Sequence, residues 1–263
     1  MTDDIAGTAI DTTVPHSARI WNYWLGGKDN FAVDRAAGDQ FSAIYPGIVD
    51  IARADRQFLG RVIRFLAGDA KVRQFLDVGT GLPTADNTHE VALRVAPDAR
   101  VVYVDNDPLV LAHARALLVG SPDGATSFVN ADMTDPGAVL REAAELLDLT
   151  QPVALTFMGV LGHVVDYAQA KAIVTGLLDG LPSGSYLSIN DSINTSEALE
   201  EALRVYEASG AVPYRTRSPE QFAGYFDGLE LTDPGLVPVI DWRPDPDTYR
   251  PDIPQIGAVG RKP

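Results

Sequence analysis

The sequence predicts an α/β protein: a mostly parallel sheet with helices on both faces. Three observations predict it. The run QFLDVGTGLPT, from Gln74 to Thr84, reads as an apolar strand, a glycine turn and the approach to a helix. That succession opens a nucleotide-binding α/β unit. From Gln74 onward, short apolar runs alternate with helical patterns, which is how parallel strands buried on both faces read. Finally, an acid recurs where a strand should end, at Asp77, Asp105 and Asp132.

Residues up to Pro15 are polar without a sustained period and are expected to form a mobile tail. A short helix is expected over residues 17–25, with Ser17 as N-cap and Gly26-Gly27 as its end. Trp21, Tyr23, Trp24 and Phe31 crowd this stretch beside Lys28 and Asn30. It reads either as a helix packing its aromatics on the main domain or as a hinged lid. Two more helices are expected, over residues 33–44 and 46–66. The second carries Ile48, Ile51, Phe58, Leu59, Val62, Ile63 and Leu66 as an apolar stripe.

Strands are then expected at residues 74–78, 100–104, 126–130, 153–158 and 185–190. Helices are expected between and after them, at residues 87–95, 108–118, 136–147, 166–178 and 196–209. A short helix over residues 218–226 has Ser218 as cap and Pro219 in its first position. Strand-like pieces at 229–232 and 236–240 read as a hairpin-like pair on the sheet edge, and residues 255–259 as a last strand. The chain thus divides into a tail and helical extension or lid over residues 1–70 and an α/β domain over residues 71–263.

The 263 residues can bury one large core. No cysteine occurs, which removes disulfides, thiolate metal sites and thiol nucleophiles together and fits a cytoplasmic protein. No apolar run is long enough to span a membrane, and the first residues lack the pattern of a secretory signal. The formal net charge of −15 argues against nucleic acid as a partner. Arg53, Arg56, Arg61 and Arg64 share one expected helix with Asp50 and Asp55, and most of them are expected on a solvated face. No histidine pair has zinc-site spacing, so no metal is expected. A G-x-S-x-G nucleophile elbow is absent as well. A homodimer is compatible with base rates only.

In an open α/β sheet, ligands sit beyond the carboxyl ends of the strands. That rim should hold Asp77, Gly79, Thr80 and Gly81, then Asp105 and Asn106, then Asp132 and Met133, then Met158, Gly159 and His163. The glycine turn departs from the dinucleotide pattern. Thr84 stands where a third glycine would be, and an acid two residues before Gly79 would repel a pyrophosphate while suiting an amino group. Asp105 suits a pair of ribose hydroxyls. Asp132 could accept from an exocyclic amine, and Met133 could pack on an aromatic base.

Asp77-x-Gly79-x-Gly81, Asp105 and Asp132-Met133 resemble the motifs of class I S-adenosylmethionine-dependent methyltransferases. More narrowly, the chain is similar to an actinobacterial group of S-adenosyl methyltransferases once known as a domain of unknown function. The similar runs are ARIWNYWLGGKDNF, ADRQFLGRVIRFLA, FLDVGTGLPTADNTHEVA, VVYVDNDPLVLAHARALL, the segment around Leu161-Gly162-His163, and LTDPGLVPVIDWRP. The resemblance implies a Rossmann-like, seven-stranded sheet whose last strand is antiparallel. It implies that Asp77 and the Gly79–Gly81 backbone hold the amino-acid end of S-adenosyl-L-methionine, Asp105 its ribose, and Asp132 with Met133 its adenine. LTFMGVLGHV departs from the pattern, with Gly162 before His163 where many relatives are less glycine-rich.

A sulfonium methyl is already activated, so alignment and exclusion of water carry most of the rate, and a base serves only an acceptor that must lose a proton. His163 is the candidate base. Tyr23, Gly27, Lys28, Asn30 and Arg56 are candidates for the lid or acceptor side, Arg56 also for a carboxylate of the ligand. The expected activity is methyl transfer to a small molecule. A binding protein without turnover and a nicotinamide-dependent oxidoreductase remain the alternatives.

Overall fold

The computed structural model describes residues 11–110, 112–113, 126–246 and 249–263. Three helices precede the sheet: α1 (Ser17–Trp24), α2 (Ala32–Ile44) and α3 (Ile48–Gly68). Then come β1 (Gln74–Val78), α4 (Thr88–Val95), β2 (Arg100–Asp105) and β3 (Thr126–Asn130). Next are α5 (Pro136–Ala143), β4 (Ala154–Met158), α6 (Tyr167–Asp179), β5 (Tyr186–Ser192) and α7 (Glu197–Ala208). The chain closes with α8 (Pro219–Ala223), the two-residue strands β6 (Glu230–Leu231) and β7 (Val237–Pro238), and β8 (Gln255–Arg261). The helix expected over residues 108–118 falls mostly outside the described residues, although Pro108, Leu109 and Val110 are helical. Much of the expected tail falls outside them too.

The sheet runs β3-β2-β1-β4-β5-β8-β6, with β7 also paired to β8. Strands β1 to β5 are mutually parallel, and β8 is antiparallel to β5. The sheet is therefore mixed, mostly parallel, with one antiparallel edge. Among the described residues it holds eight strands, one more than the resemblance implies, because β6 and β7 both pair with β8. They do not form the expected hairpin with each other. β7 is short for a local reason. Pro238 has no N–H to give the ladder, and the chain then tightens into a 3-10 turn over Val239–Asp241.

Successive strand residues point to opposite faces, and here the two faces build two cores. Phe75, Val101, Tyr103 and Ala154 pack with α1, α2, α3, α4 and α7. Their neighbours Leu76, Val102, Val104 and Leu155 pack with α5, α6 and the region of Phe222 and Phe226. Helix α3 is an integral layer of the first core. Thirteen of its residues are buried, and Phe58 meets Trp242 edge-on with ring centroids 5.6 Å apart.

Caps fall largely where side-chain chemistry places them. Asp166 accepts from the Gln169 amide at 2.7 Å, and Ser218 caps α8 in a capping box. At α1 the expectation of Ser17 is corrected. The cap is His16, whose Nδ1 lies 3.3 Å from the Ala18 amide. The same nitrogen is 2.9 Å from Oδ2 of Asp107.

The arginine cluster is corrected as well. Arg61 is buried rather than solvated. Its Nε donates to the Trp242 carbonyl at 2.9 Å and its Nη2 to the Val239 carbonyl at 2.6 Å, which fastens α3 to the turn after β7. Arg64 pairs with Asp245, and Arg53 is exposed.

Candidate active site

Strand order reverses between β1 and β4, the switch point where the carboxyl ends of open α/β sheets leave a crevice. A cavity of about 600 Å³ lies there, within the range of small-molecule and cofactor sites. Its wall includes Asp77 in β1 with Gly79, Thr80 and Gly81 after it, Asp105 at the end of β2 with Asn106 after it, and Asp132 and Met133 after β3. Met158 ends β4, Gly159 and His163 follow it, and Arg56 enters from α3. Four of the expected acceptor-side residues are not in the wall: Tyr23, Gly27, Lys28 and Asn30.

Those four have local roles that explain their placement. The Tyr23 hydroxyl donates to Asp39 at 2.6 Å. Buried Asn22 organises the loop after α1, its Oδ1 accepting from the Asp29 amide at 3.0 Å and from Asn30 Nδ2 at 2.9 Å. A Cβ at Gly27 would stand 2.3 Å from Asn22 Nδ2, so glycine here serves close approach rather than a hinge. Lys28 is exposed.

The glycine turn is built for contact. Gly79 has φ +71° and Gly81 φ +64°, backbone that other residues adopt only with strain. Asp77, at the end of β1, is buried. Its Oδ2 accepts from the Thr88 hydroxyl at 2.6 Å and its Oδ1 from the Thr156 hydroxyl at 3.0 Å. Burial raises its pKa, against the two hydroxyls and the Arg56 guanidinium. Asp105 accepts from the Gly81 amide through Oδ2 and from the Asp107 amide through Oδ1, both at 2.9 Å. Burial raises its pKa too, opposed by those amides. Each oxygen of a carboxylate has two lone pairs, so both acids are oriented from inside the protein and retain acceptor capacity. Asp132 is exposed, its Oδ1 accepting from the Thr134 amide at 2.9 Å.

Nδ1 of His163 is 3.0 Å from the Pro213 carbonyl, so the proton sits there and Nε2 is the acceptor. Burial lowers its pKa and keeps the ring neutral. Arg56 donates through Nη2 to the carbonyls of Ala85 and Asp86 at 3.0 and 2.9 Å, while its Nε is buried without a partner.

Sequence reasoning missed several wall residues. His16, Asp55, Tyr214 and Gln255 line the cavity. For Asp55 a signal existed, because it stands four residues from both Ile51 and Leu59 on the apolar stripe of α3, a position that faces the core. His16, Tyr214 and Gln255 lie in or beside loops and carry no periodic signal. Among the described residues, no group of three or more His, Cys, Asp or Glu is placed to hold a metal ion.

The donor set fits a ligand rich in amino and hydroxyl groups and carrying one carboxylate. Three acids can accept from an ammonium, a diol and an exocyclic amine, and the unpartnered Arg56 Nε can donate to the carboxylate. Residues 3–263 match the S-adenosyl methyltransferase family. A DUF574 family protein from Streptomyces avermitilis is 45% identical with a TM-score of 0.92, over 97% of this chain and 100% of that one. A proposed methyltransferase from Thermobifida fusca is 39% identical with a TM-score of 0.88, over 96% of each chain. The N-methyltransferase NodS from Bradyrhizobium japonicum, solved with S-adenosyl-L-homocysteine, shares the fold at 13% identity and a TM-score of 0.51, over 87% of this chain and 97% of that one. Comparison with curated proteins gave no match. The match spanning nearly the whole chain, joined to an acid-lined cavity at the switch point, establishes that this chain belongs to the S-adenosyl methyltransferase family, whose cofactor is S-adenosyl-L-methionine.

Proposed function

We propose that the cavity at the switch point holds both S-adenosyl-L-methionine and a small-molecule acceptor, and that the strand-end residues bind the cofactor. One observation carries this reading: Asp77, Gly79, Thr80, Gly81, Asp105, Asn106, Asp132, Met133, Met158 and Gly159 all stand in the wall of one cavity. When bound, the cofactor supplies a methyl group already activated on a sulfonium. Asp77, held at both oxygens by threonine hydroxyls, accepts from the amino group with its remaining lone pairs. Asp105 accepts from the ribose hydroxyls while its bond to Gly81 keeps the turn in shape. Asp132 and Met133 flank the adenine, with Asn106 beside them. Arg56 Nε donates to the carboxylate, which would satisfy an otherwise orphaned donor.

On the acceptor side, His163 presents Nε2 as a hydrogen-bond acceptor. Residues 1–70 are read as a helical extension and residues 71–263 as the α/β domain. Helix α1 contributes Trp21 and Trp24 to the wall. The formal net charge of −15 speaks against nucleic acid as acceptor. Among the described residues no helix is long and apolar enough to cross a membrane. The absence of cysteine supports a cytoplasmic location. A homodimer is compatible with base rates.

Calorimetric titration with S-adenosylmethionine, S-adenosylhomocysteine and NAD tests the reading. Binding of the first two without NAD is expected. Binding of NAD alone would replace it with an oxidoreductase.

A further inference from the structure

Helix α3 sets Ile48, Ile51, Asp55 and Leu59 along the cavity. Steps of three and four residues put them on one face of the helix. Three are apolar, and Asp55 is the exception. It is 4% exposed. Its Oδ1 is held from behind by two side-chain amides, Asn190 Nδ2 on β5 and Gln255 Nε2 on β8, the latter at 2.6 Å. Its Oδ2 is buried without a hydrogen-bond partner among the described residues. A Cβ at Gly159, just past β4, would stand 3.1 Å from that oxygen. Asp55 therefore lies against the same rim as the cofactor-binding candidates, with one acceptor oxygen unsatisfied.

The surroundings define what could satisfy it. Trp21, Trp24, Phe41, Leu203, Tyr206 and Tyr214 line the cavity and belong to, or pack on, the core that α3 helps to build. Tyr214 donates its hydroxyl to Asp191 and meets His163 edge-on, with ring centroids 5.1 Å apart. A carboxylate in an apolar, aromatic chamber costs free energy unless a donor reaches it.

We propose that Asp55 is the acceptor-binding carboxylate of this site, and that the acceptor is an uncharged, ring-bearing molecule whose methylated atom is an oxygen or nitrogen carrying hydrogen. This rests on the methyltransferase reading above. The ring lies among the aromatic side chains, and the O–H or N–H donates to Oδ2. In the transfer the acceptor's lone pair forms the new bond to carbon, the carbon–sulfur pair stays on sulfur, and the released proton passes to Oδ2. A cation and a carboxylate give two neutral products, so charge balances. Burial, followed by the nearby Asp191, raises the pKa of Asp55 and makes it a better proton acceptor than an ordinary aspartate. His163, weakened as a base by burial, can accept through Nε2 only from a further donor on the acceptor.

The test uses the full chain saturated with sinefungin, a cationic and non-transferring analogue of the cofactor. 2-Naphthol, 2-aminonaphthalene and 2-methoxynaphthalene are titrated in and followed by ligand-observed NMR. The first two are expected to bind at least about tenfold tighter than the third, which has the same ring but no hydrogen to donate. Asp55→Asn is expected to abolish that preference. Two amide donors hold position Oδ1, so the new side chain must turn its oxygen to them and its NH2 to the chamber. Its affinity for S-adenosylhomocysteine should stay within about twofold of wild type.

Equal binding of all three by wild type overturns the proposal without any variant, and so does failure of all three to bind. An Asp55→Asn protein that keeps the preference overturns it, and one that loses S-adenosylhomocysteine assigns Asp55 to the cofactor instead. A wild type that binds neither sinefungin nor S-adenosylhomocysteine removes the methyltransferase reading itself, a result distinct from the other failures.

Discussion

Asp105 Oδ2 accepts the backbone N–H of Gly81 at 2.9 Å, joining the acid that ends β2 to the glycine turn after β1. The residue proposed for the ribose thus also sets the backbone proposed for the amino-acid end. Asp105→Ala should weaken S-adenosylhomocysteine binding by roughly 1–3 kcal/mol, the scale of losing hydrogen bonds to a charged group. Asp105→Asn should do little better, because any amide orientation turns an NH2 toward an N–H donor, at Gly81 or at Asp107. Calorimetry on folded variants decides, and unchanged affinity would remove Asp105 from the site.

The two turn glycines should differ. Gly79 has positive φ, and an added Cβ would fall 2.2 Å from Val160 Cγ2. Gly81 has positive φ but nothing within 4 Å of an added Cβ. Gly81→Ala should cost about 1 kcal/mol of stability from backbone strain alone, and Gly79→Ala clearly more. Equal midpoints in urea denaturation would contradict the steric account.

Burial, opposed by the Ser192 amide, Arg217 and the Gly162 amide, pushes Asp191 up to about 7 from an ordinary value of 3.8. Between those values the folded protein holds a proton at Asp191 that the unfolded chain has released. Stability attributable to this group therefore falls as pH rises from about 4 to 7, by up to about 1.4 kcal/mol per pH unit. Asp55 acts in the same direction. Asp191→Asn should flatten the dependence of Tm on pH across that window. A variant with the wild-type slope would assign the titration elsewhere.

His163→Ala should leave S-adenosylhomocysteine affinity intact and slow single-turnover methyl transfer by about tenfold, the scale of one lost positioning hydrogen bond. Full single-turnover activity on an identified acceptor would end any role for Nε2 in the reaction.

Arg61→Met should destabilise the fold by about 2–4 kcal/mol. It leaves the carbonyls of Val239 and Trp242 without their buried charged donor. Chemical denaturation measures it, and a loss below about 1 kcal/mol would show that the carbonyls find other partners.

The sequence by itself determined the α/β class, the strand-end acids and the family. Strand, glycine turn and helix follow one another within a few residues, so the rim chemistry at Asp77, Gly79, Gly81 and Asp105 is written locally. The apolar stripe of α3 was legible too, because helical period marks a buried face. What that face meets was not. Asp55 bonds to Asn190 and Gln255, 135 and 200 residues away, and Arg61 reaches Trp242 across 181. Tertiary structure alone decided that Asp55 enters the cavity wall while Lys28 stays outside, and that β6 and β7 pair with β8 rather than with each other. Periodicity reports that a side chain is buried, whereas its partner depends on how distant segments pack, and no local pattern encodes that.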